Sequence, residues 1–198
     1  MKEQAAHLRS VPEGLPVPLD DGAADHLRGM RLPDIELPST QGGQISLARV
    51  RSRLIVVYCY PRTGRPETPI PAGWDDIPGA RGCTPQNCAY RDRAAQLTRF
   101  EAALFGLSTQ TTEYQREMAQ RLGLTYPVLS DAEHRLTNAL RLPTFEFEGE
   151  RLIKRLSFVA VAGIIEHVEY PVFPSDSDAP KIVAWLEQRS GPATGEPQ

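Results

Sequence analysis

An α/β chain is predicted, with a mixed central sheet flanked by helices and a β-hairpin at its N-terminal end. Three observations carry this. Residues 54–60 (Leu-Ile-Val-Val-Tyr-Cys-Tyr) form a continuous apolar run rich in β-branched and aromatic side chains, which reads as a strand buried on both faces. Two further apolar runs, at 102–108 and 126–129, alternate with stretches of helical periodicity. Such β-α-β-α-β order implies parallel neighbours with helices packed over the sheet. The chain then closes with two strand-like runs and an amphipathic helix.

Taken in order, residues 1–29 are polar and irregular, with Pro12, Pro16 and Pro18 and a short helical stretch near Ala23 to Leu27. They read as an N-terminal extension packed on the domain or partly loose. Residues 32–37 and 44–47 alternate around Gln41-Gly42-Gly43, a hairpin whose glycines supply positive φ. Residues 61–82 hold five prolines and four glycines, too many for a helix or a central strand. A loop of that length in a compact domain is functional or loose. Trp74 and Ile77 are its apolar anchors.

Pro85 suits a first helical turn, with Thr84 as its cap, and the helix runs to about Arg99 on an apolar face of Ala94 and Leu97. A capping box at Thr112-Glu113-Tyr114-Gln115 starts a second helix. It carries Tyr114, Met118 and Leu122 inward and is closed by Gly123. Asp131 caps a third helix bearing Leu136 and Leu140, with His134 as a solvated or capping side chain. Residues 152–161 and 164–170 form a hairpin turning at Ala162-Gly163. A final helix near Pro180 buries Ile182, Val183 and Leu186, and residues 190–198 are expected to be disordered. The domain therefore spans 30–189.

Composition narrows the function. The net charge of −3 argues against a nucleic-acid or anionic-membrane surface, and 40% hydrophobic residues suffice for a core. Three cysteines are too few for a disulfide framework, and the odd one suggests a reducing compartment. The start, Met-Lys-Glu-Gln, has no signal-peptide pattern and no stretch approaches a membrane span, so a cytoplasmic protein is expected.

The chemistry concentrates in Gly82-Cys83-Thr84-Pro85-Gln86-Asn87-Cys88. A thiol at a helix start meets unpaired N–H groups and the positive end of the macrodipole, surroundings that favour thiolate over thiol. Five residues along one α-helix separate two Cα atoms by about 8.6 Å, whereas a disulfide needs less than about 7 Å. A bond between Cys83 and Cys88 thus requires the first turns to unwind, which reads as a redox switch. A static structural disulfide, or two unrelated buried cysteines, is the alternative. Cys59, inside the strand run, reads as a small core side chain. Metal binding by Cys83 and Cys88 lacks neighbouring ligands, and no Cys-x-x-Cys is present.

Residues 32–43 (Leu-Pro-Asp-Ile-Glu-Leu-Pro-Ser-Thr-Gln-Gly-Gly), 58–61 (Tyr-Cys-Tyr-Pro), 82–92 (Gly-Cys-Thr-Pro-Gln-Asn-Cys-Ala-Tyr-Arg-Asp) and 126–131 (Tyr-Pro-Val-Leu-Ser-Asp) together resemble a peroxiredoxin. The nearest subgroup is the Q-type, or bacterioferritin-comigratory-protein, peroxiredoxins. The resemblance implies a thioredoxin-like fold and a thiol-dependent peroxidase of the atypical 2-Cys kind, acting on hydrogen peroxide and organic hydroperoxides. It places Cys83 as the peroxidatic and Cys88 as the resolving cysteine, Arg155 on a late strand facing the thiolate, Pro61 as the active-site proline, and Gln86 as the holder of the arginine. It further implies a Cys83–Cys88 disulfide recycled by thioredoxin or glutaredoxin, no organic cofactor or metal, and a monomer or dimer. A redox-sensing or interaction protein on the same scaffold is the other functional reading. The family pattern Pro-x-x-x-Thr-x-x-Cys is interrupted: Pro61 and Cys83 are 22 residues apart, so about fifteen are inserted within 62–81, and Ala80 fills the threonine position. Thr63 or Thr68 is the candidate replacement for that hydroxyl.

Overall fold

A computed structural model describes Leu8 and residues 11–189; the expected disorder of 190–198 falls outside these residues. The central sheet has five strands in the order β5-β4-β3-β8-β9. Strand β3 (Leu54–Cys59) lies at its middle, parallel to β4 (Ala102–Ser108) and antiparallel to β8 (Leu156–Val161). Strand β5 (Val128–Ser130) is parallel to β4, and β9 (Ile164–Glu169) is antiparallel to β8. The β5-β4-β3 half is thus built by βαβ crossovers and the β8-β9 half by a hairpin, which makes the sheet mixed.

Alternation along β3 sorts the core into two halves. Ile55, Val57 and Cys59 face a cluster with Leu37, Leu47, Leu136 and Leu140. Val56 and Tyr58, with Tyr60 just past the strand, face a second cluster with Cys83, Tyr90, Leu97, Met118 and Ile182. Three helices cover that second face: α1 (Cys83–Arg99), α2 (Thr112–Leu122) and α4 (Asp178–Arg189). The short α3 (Arg135–Leu140) and the hairpin of β1 (Glu36–Pro38) with β2 (Gln44–Ser46) cover the first.

Several local expectations shift. Helix α1 starts one residue before Thr84, and its N-cap is Gly82, with no side-chain cap. Helix α2 is capped by Thr111, whose hydroxyl accepts from the Tyr114 N–H. The reading at Thr112 was one residue late because Gln115, taken as the box partner, turns inward. Its amide donates to the Gln110 and Leu129 carbonyls, and its carbonyl accepts from the buried Tyr60 hydroxyl. Tyr114 is only partly buried, with the Arg65 guanidinium 4.8 Å from its ring centre. Asp131 caps α3 as expected, accepting from the Leu136 and Thr137 N–H groups.

The long strand expected at 152–161 is two. Residues up to Ile153 belong to β7 (Glu150–Ile153), which pairs with β6 (Thr144–Phe147) in a separate hairpin. Its two-residue turn, Glu148-Gly149, has positive φ at both positions, the geometry that matches strand twist. Lys154 and Arg155 then lead into β8.

This hairpin exists to meet the inserted loop. Trp74, in a short 3-10 helix (Trp74–Asp76), lies 5.0 Å edge-on to Phe147 and 6.1 Å from Phe145. Ala80 and Leu152 complete a third buried cluster. The Arg62 guanidinium sits 4.8 Å from the Trp74 ring and 4.9 Å from Phe147. It also pairs with Glu148 at 3.0 Å and Glu150 at 3.4 Å. The loop is therefore an ordered wall.

Of the N-terminal extension, residues 1–7, 9 and 10 fall outside the described residues, and the stretch 20–30 is packed. Gly29 N–H donates to the Ile165 carbonyl and Ile165 N–H to the Met30 carbonyl, which occupies the outer edge of β9. Leu27 is buried, and Asp21 accepts from Lys154 and from the Tyr170 hydroxyl, each at 2.7 Å.

Trp74→Ala is expected to cost about 3–5 kcal/mol of packing at this joint, read by denaturant unfolding, and to open residues 62–81 to limited proteolysis; an unchanged digestion pattern would contradict the wall. Lys154 and the Tyr170 phenol hold the Asp21 carboxyl well below the usual carboxylate range. A depressed carboxyl stabilises above its unfolded value of about 3.9 and loses that contribution as pH falls. Asp21 is largely solvated, so Asp21→Asn should cost under about 1 kcal/mol at pH 7, with the difference shrinking only below about pH 4.

Candidate active site

Cys83 is the first residue of α1, and the backbone before it dictates what can precede it. Gly82 has φ +100°, and a Cβ there would sit 2.1 Å from the Ser175 hydroxyl oxygen. Glycine is thus required both by conformation and by the closeness of the segment before α4. The turn aims the first N–H groups of α1, which lack helical partners, toward the same end as the Cys83 sulfur.

Cys83 is 4% exposed. The Arg155 guanidinium donates to it from 3.3 Å, and the thiol lies 3.6 Å from the Ala80 carbonyl. The same Arg155 nitrogen donates to the Ala80 carbonyl at 3.0 Å and to the Arg81 carbonyl at 3.1 Å. Its other terminal nitrogen donates to the Gln86 side-chain carbonyl. Sequence reasoning placed Cys83, Gln86 and Arg155 together, and the structure brings them into direct contact. Arg155 sits immediately before β8 rather than within a strand.

A second layer was not foreseen. The Gln86 amide donates to the Asp178 carboxylate at 2.6 Å. The same oxygen accepts from Ser157 and, at 3.2 Å, from Tyr90, while the other accepts from the Ala179 N–H at 2.9 Å. Asp178 is fully buried, and burial pushes its carboxyl up, opposed by the bonds from Ser157 and Gln86 and by the charge of Arg155. The Gln86 amide and the Ala179 N–H can only donate to it, and the two hydroxyls can donate as well, surroundings that suit an ionised carboxylate. The only signal in sequence was an acid just before a proline at a helix start, which reads as an ordinary N-terminal acid.

Cys88 lies on the same helix, partly buried, and both thiols are free. The intact helix keeps their Cα atoms about 8.6 Å apart. Tyr126 stands near Cys88, and its hydroxyl reaches the Asn87 carbonyl at 3.4 Å. Pro61 is buried at the end of β3, where its carbonyl accepts from Ser108 at 2.9 Å, and the two residues after it line the cavity described next. Cys59 is fully buried, and burial pushes its thiol far up, with Asp131 and Asp178 adding to it.

Cys83 opens onto a cavity of about 690 Å³. The inserted loop supplies one wall through Ile70, Pro71 and Trp74, and Arg151 and Leu152 of β7 supply another. Ala80, in the threonine position of the motif, presents a methyl group to the Trp74 cluster. Thr63 and Thr68 both line the cavity. The Thr63 hydroxyl is buried and donates to the Gln110 side chain at 3.2 Å, whereas Thr68 is exposed.

Comparison with known proteins identifies the family and the fold. The sequence matches the Redoxin family over residues 27–186. Peroxiredoxin Bcp of Escherichia coli K12 is 27% identical over 162 residues, covering 80% of this chain and 94% of that protein. Peroxiredoxin Bcp of Bacillus subtilis is 27% identical over 111 residues, or 56% of this chain and 61% of its own. The crystal structure of peroxidoxin BcpB from Mycobacterium tuberculosis superposes with a TM-score of 0.66 at 27% identity, covering 81% of this chain and 96% of that one. Peroxiredoxin Q of Xanthomonas campestris shares the fold, with a TM-score of 0.63 at 18% identity over 88% of this chain and 98% of its own. With a match that runs from the N-terminal edge segment into the last helix, the chain belongs to the Redoxin family, and within it to the Q-type, bacterioferritin-comigratory-protein peroxiredoxins.

Proposed function

We propose that this peroxiredoxin is a thiol-dependent peroxidase in which Cys83 attacks the peroxide and Cys88 resolves the product. The observation that carries the reading is the Arg155 guanidinium 3.3 Å from a sulfur at a helix N-terminus, at the end of an open cavity. Both sources place positive charge where the reaction develops negative charge, and arginine keeps its charge at any working pH.

The Cys83 thiolate attacks the terminal peroxide oxygen. The O–O bond breaks, its electron pair leaves on the alkoxide or hydroxide, and that oxygen takes up a proton, leaving a sulfenic acid on Cys83. Arg155 and the backbone N–H groups at the start of α1 stabilise the departing negative charge. The first turns of α1 then unwind. The Cys88 sulfur attacks the sulfenic sulfur, and hydroxide leaves as water with the Cys88 proton. An external protein dithiol of thioredoxin or glutaredoxin type reduces the Cys83–Cys88 disulfide by exchange, returning two thiols and becoming oxidised itself. A reducing, cytoplasmic setting suits this cycle. Gln86 holds Arg155 in place, and Pro61 fixes the end of β3 from which the cavity wall departs. Thr63, buried in the cavity wall, is the better placed substitute for the motif hydroxyl.

Cys83→Ser should abolish peroxide consumption. Cys88→Ser should keep one rapid oxidation per chain and lose turnover with a dithiol donor. Full activity in Cys83→Ser would end the proposal. The three thiols should also separate by chemistry: native alkylation followed by mass mapping should leave Cys59 unmodified and tag it only after denaturation, whereas ready native labelling of Cys59 would contradict its burial.

A further inference from the structure

Resolution of the disulfide requires local melting of α1, and the residues that must let go are visible in the intact helix. Gln86 lies between Cys83 and Cys88. Any path that brings residue 83 toward residue 88 takes Gln86 out of helical register. Tyr90 lies beyond Cys88, so it can stay helical throughout. Both side chains end on one buried oxygen of Asp178, which belongs to a different helix, α4. Ser157 on β8 holds that carboxylate from below, and the Ala179 N–H holds its other oxygen.

We propose that Asp178 is a positioning residue that latches the first turns of α1, and so sets the partition between the peroxide-reactive helix and the unwound, disulfide-forming state. This rests on the Cys83–Cys88 switch described above. Of the contacts Asp178 makes, only the one to Gln86 has to break on unwinding; those to Tyr90, Ser157 and the α4 backbone survive. The contact is charge-assisted and buried, so its loss weighs directly on the unwinding equilibrium, at about tenfold to a hundredfold. The latch also acts on the sulfur, because the Gln86 carbonyl that accepts from Arg155 belongs to the amide Asp178 orients.

The competing role is simpler: Asp178 as an acid at the start of α4, with no bearing on the switch. The two separate by kinetics. The full chain is mixed with one equivalent of hydrogen peroxide, quenched at intervals with a thiol-blocking reagent, and analysed by intact mass for sulfenic acid and disulfide. A second arm uses peroxide in large excess and measures the sulfinic acid that forms when a second oxidation outruns resolution. Asp178→Asn keeps the shape and removes the charge; it should speed disulfide formation about tenfold or more and lower the sulfinic yield in step. Gln86→Met, which removes the other end of the same contact, should do likewise, and decides alone if Asp178→Asn does not fold. Tyr90→Phe and Ser157→Ala remove contacts that survive unwinding and should stay within about twofold of the parent chain. A folded Asp178→Asn or Gln86→Met that forms disulfide at the parent rate overturns the latch, as does equal acceleration by Tyr90→Phe. A parent chain that forms no Cys83–Cys88 disulfide overturns the switch, and the latch with it.

Discussion

The contact between the Arg155 guanidinium and the Cys83 sulfur is the constraint on which the site depends. A buried cation is costly unless its donors are met. Here its two terminal nitrogens meet the sulfur, two backbone carbonyls of the loop before α1, and the Gln86 side chain, while its buried Nε has no partner among the described residues. Satisfying the arginine therefore fixes three things together. The loop must end with Ala80 and Arg81 turned toward β8. Helix α1 must begin where Cys83 and Gln86 share a face with the arginine. Residue 155 must sit at the mouth of β8, beside the central strand.

The same arrangement accounts for the outer layer. Gln86 can offer its carbonyl to Arg155 only if its amide end is engaged elsewhere, and Asp178 engages it. This places a carboxylate from the last helix behind the Cys83 sulfur. A cation near the sulfur, a neutral amide next and an anion last form a line of alternating polarity through the interior, bordered by the stacked rings of Tyr58 and Tyr90 at 4.2 Å. The tyrosines supply both the apolar wall and hydroxyls that end on polar partners, as buried tyrosines must.

Much of this was legible in the chain. The central strand announced itself because β3 is buried on both faces and reads as an unbroken apolar run. Cys83 stood out as the candidate nucleophile because glycine, cysteine and proline at a helix start have few other uses. What stayed hidden was long-range. Asp178 looks like any acid near a helix N-terminus until the fold carries it under Gln86, 92 residues away in sequence. The β6–β7 hairpin was missed because Leu152 and Ile153 run on toward β8 as one apolar pattern. The alternation of Phe145 and Phe147 before Glu148-Gly149 was its only trace. The capping error at α2 came from a glutamine whose buried partners outbid the local one.

The joint between residues 62–81 and the β6–β7 hairpin makes each segment depend on the other. Trp74 is buried only because Phe145, Phe147 and Leu152 receive it, and Arg62 is neutralised only because Glu148 and Glu150 stand at the hairpin turn. The graft and its socket are separated by some seventy residues yet function as one part. Transplanted onto a relative whose hairpin lacks the aromatic pair, the segment would carry an unsheltered indole and an unmatched cation. Removing either segment alone would leave the other with exposed aromatic rings and unpaired charge.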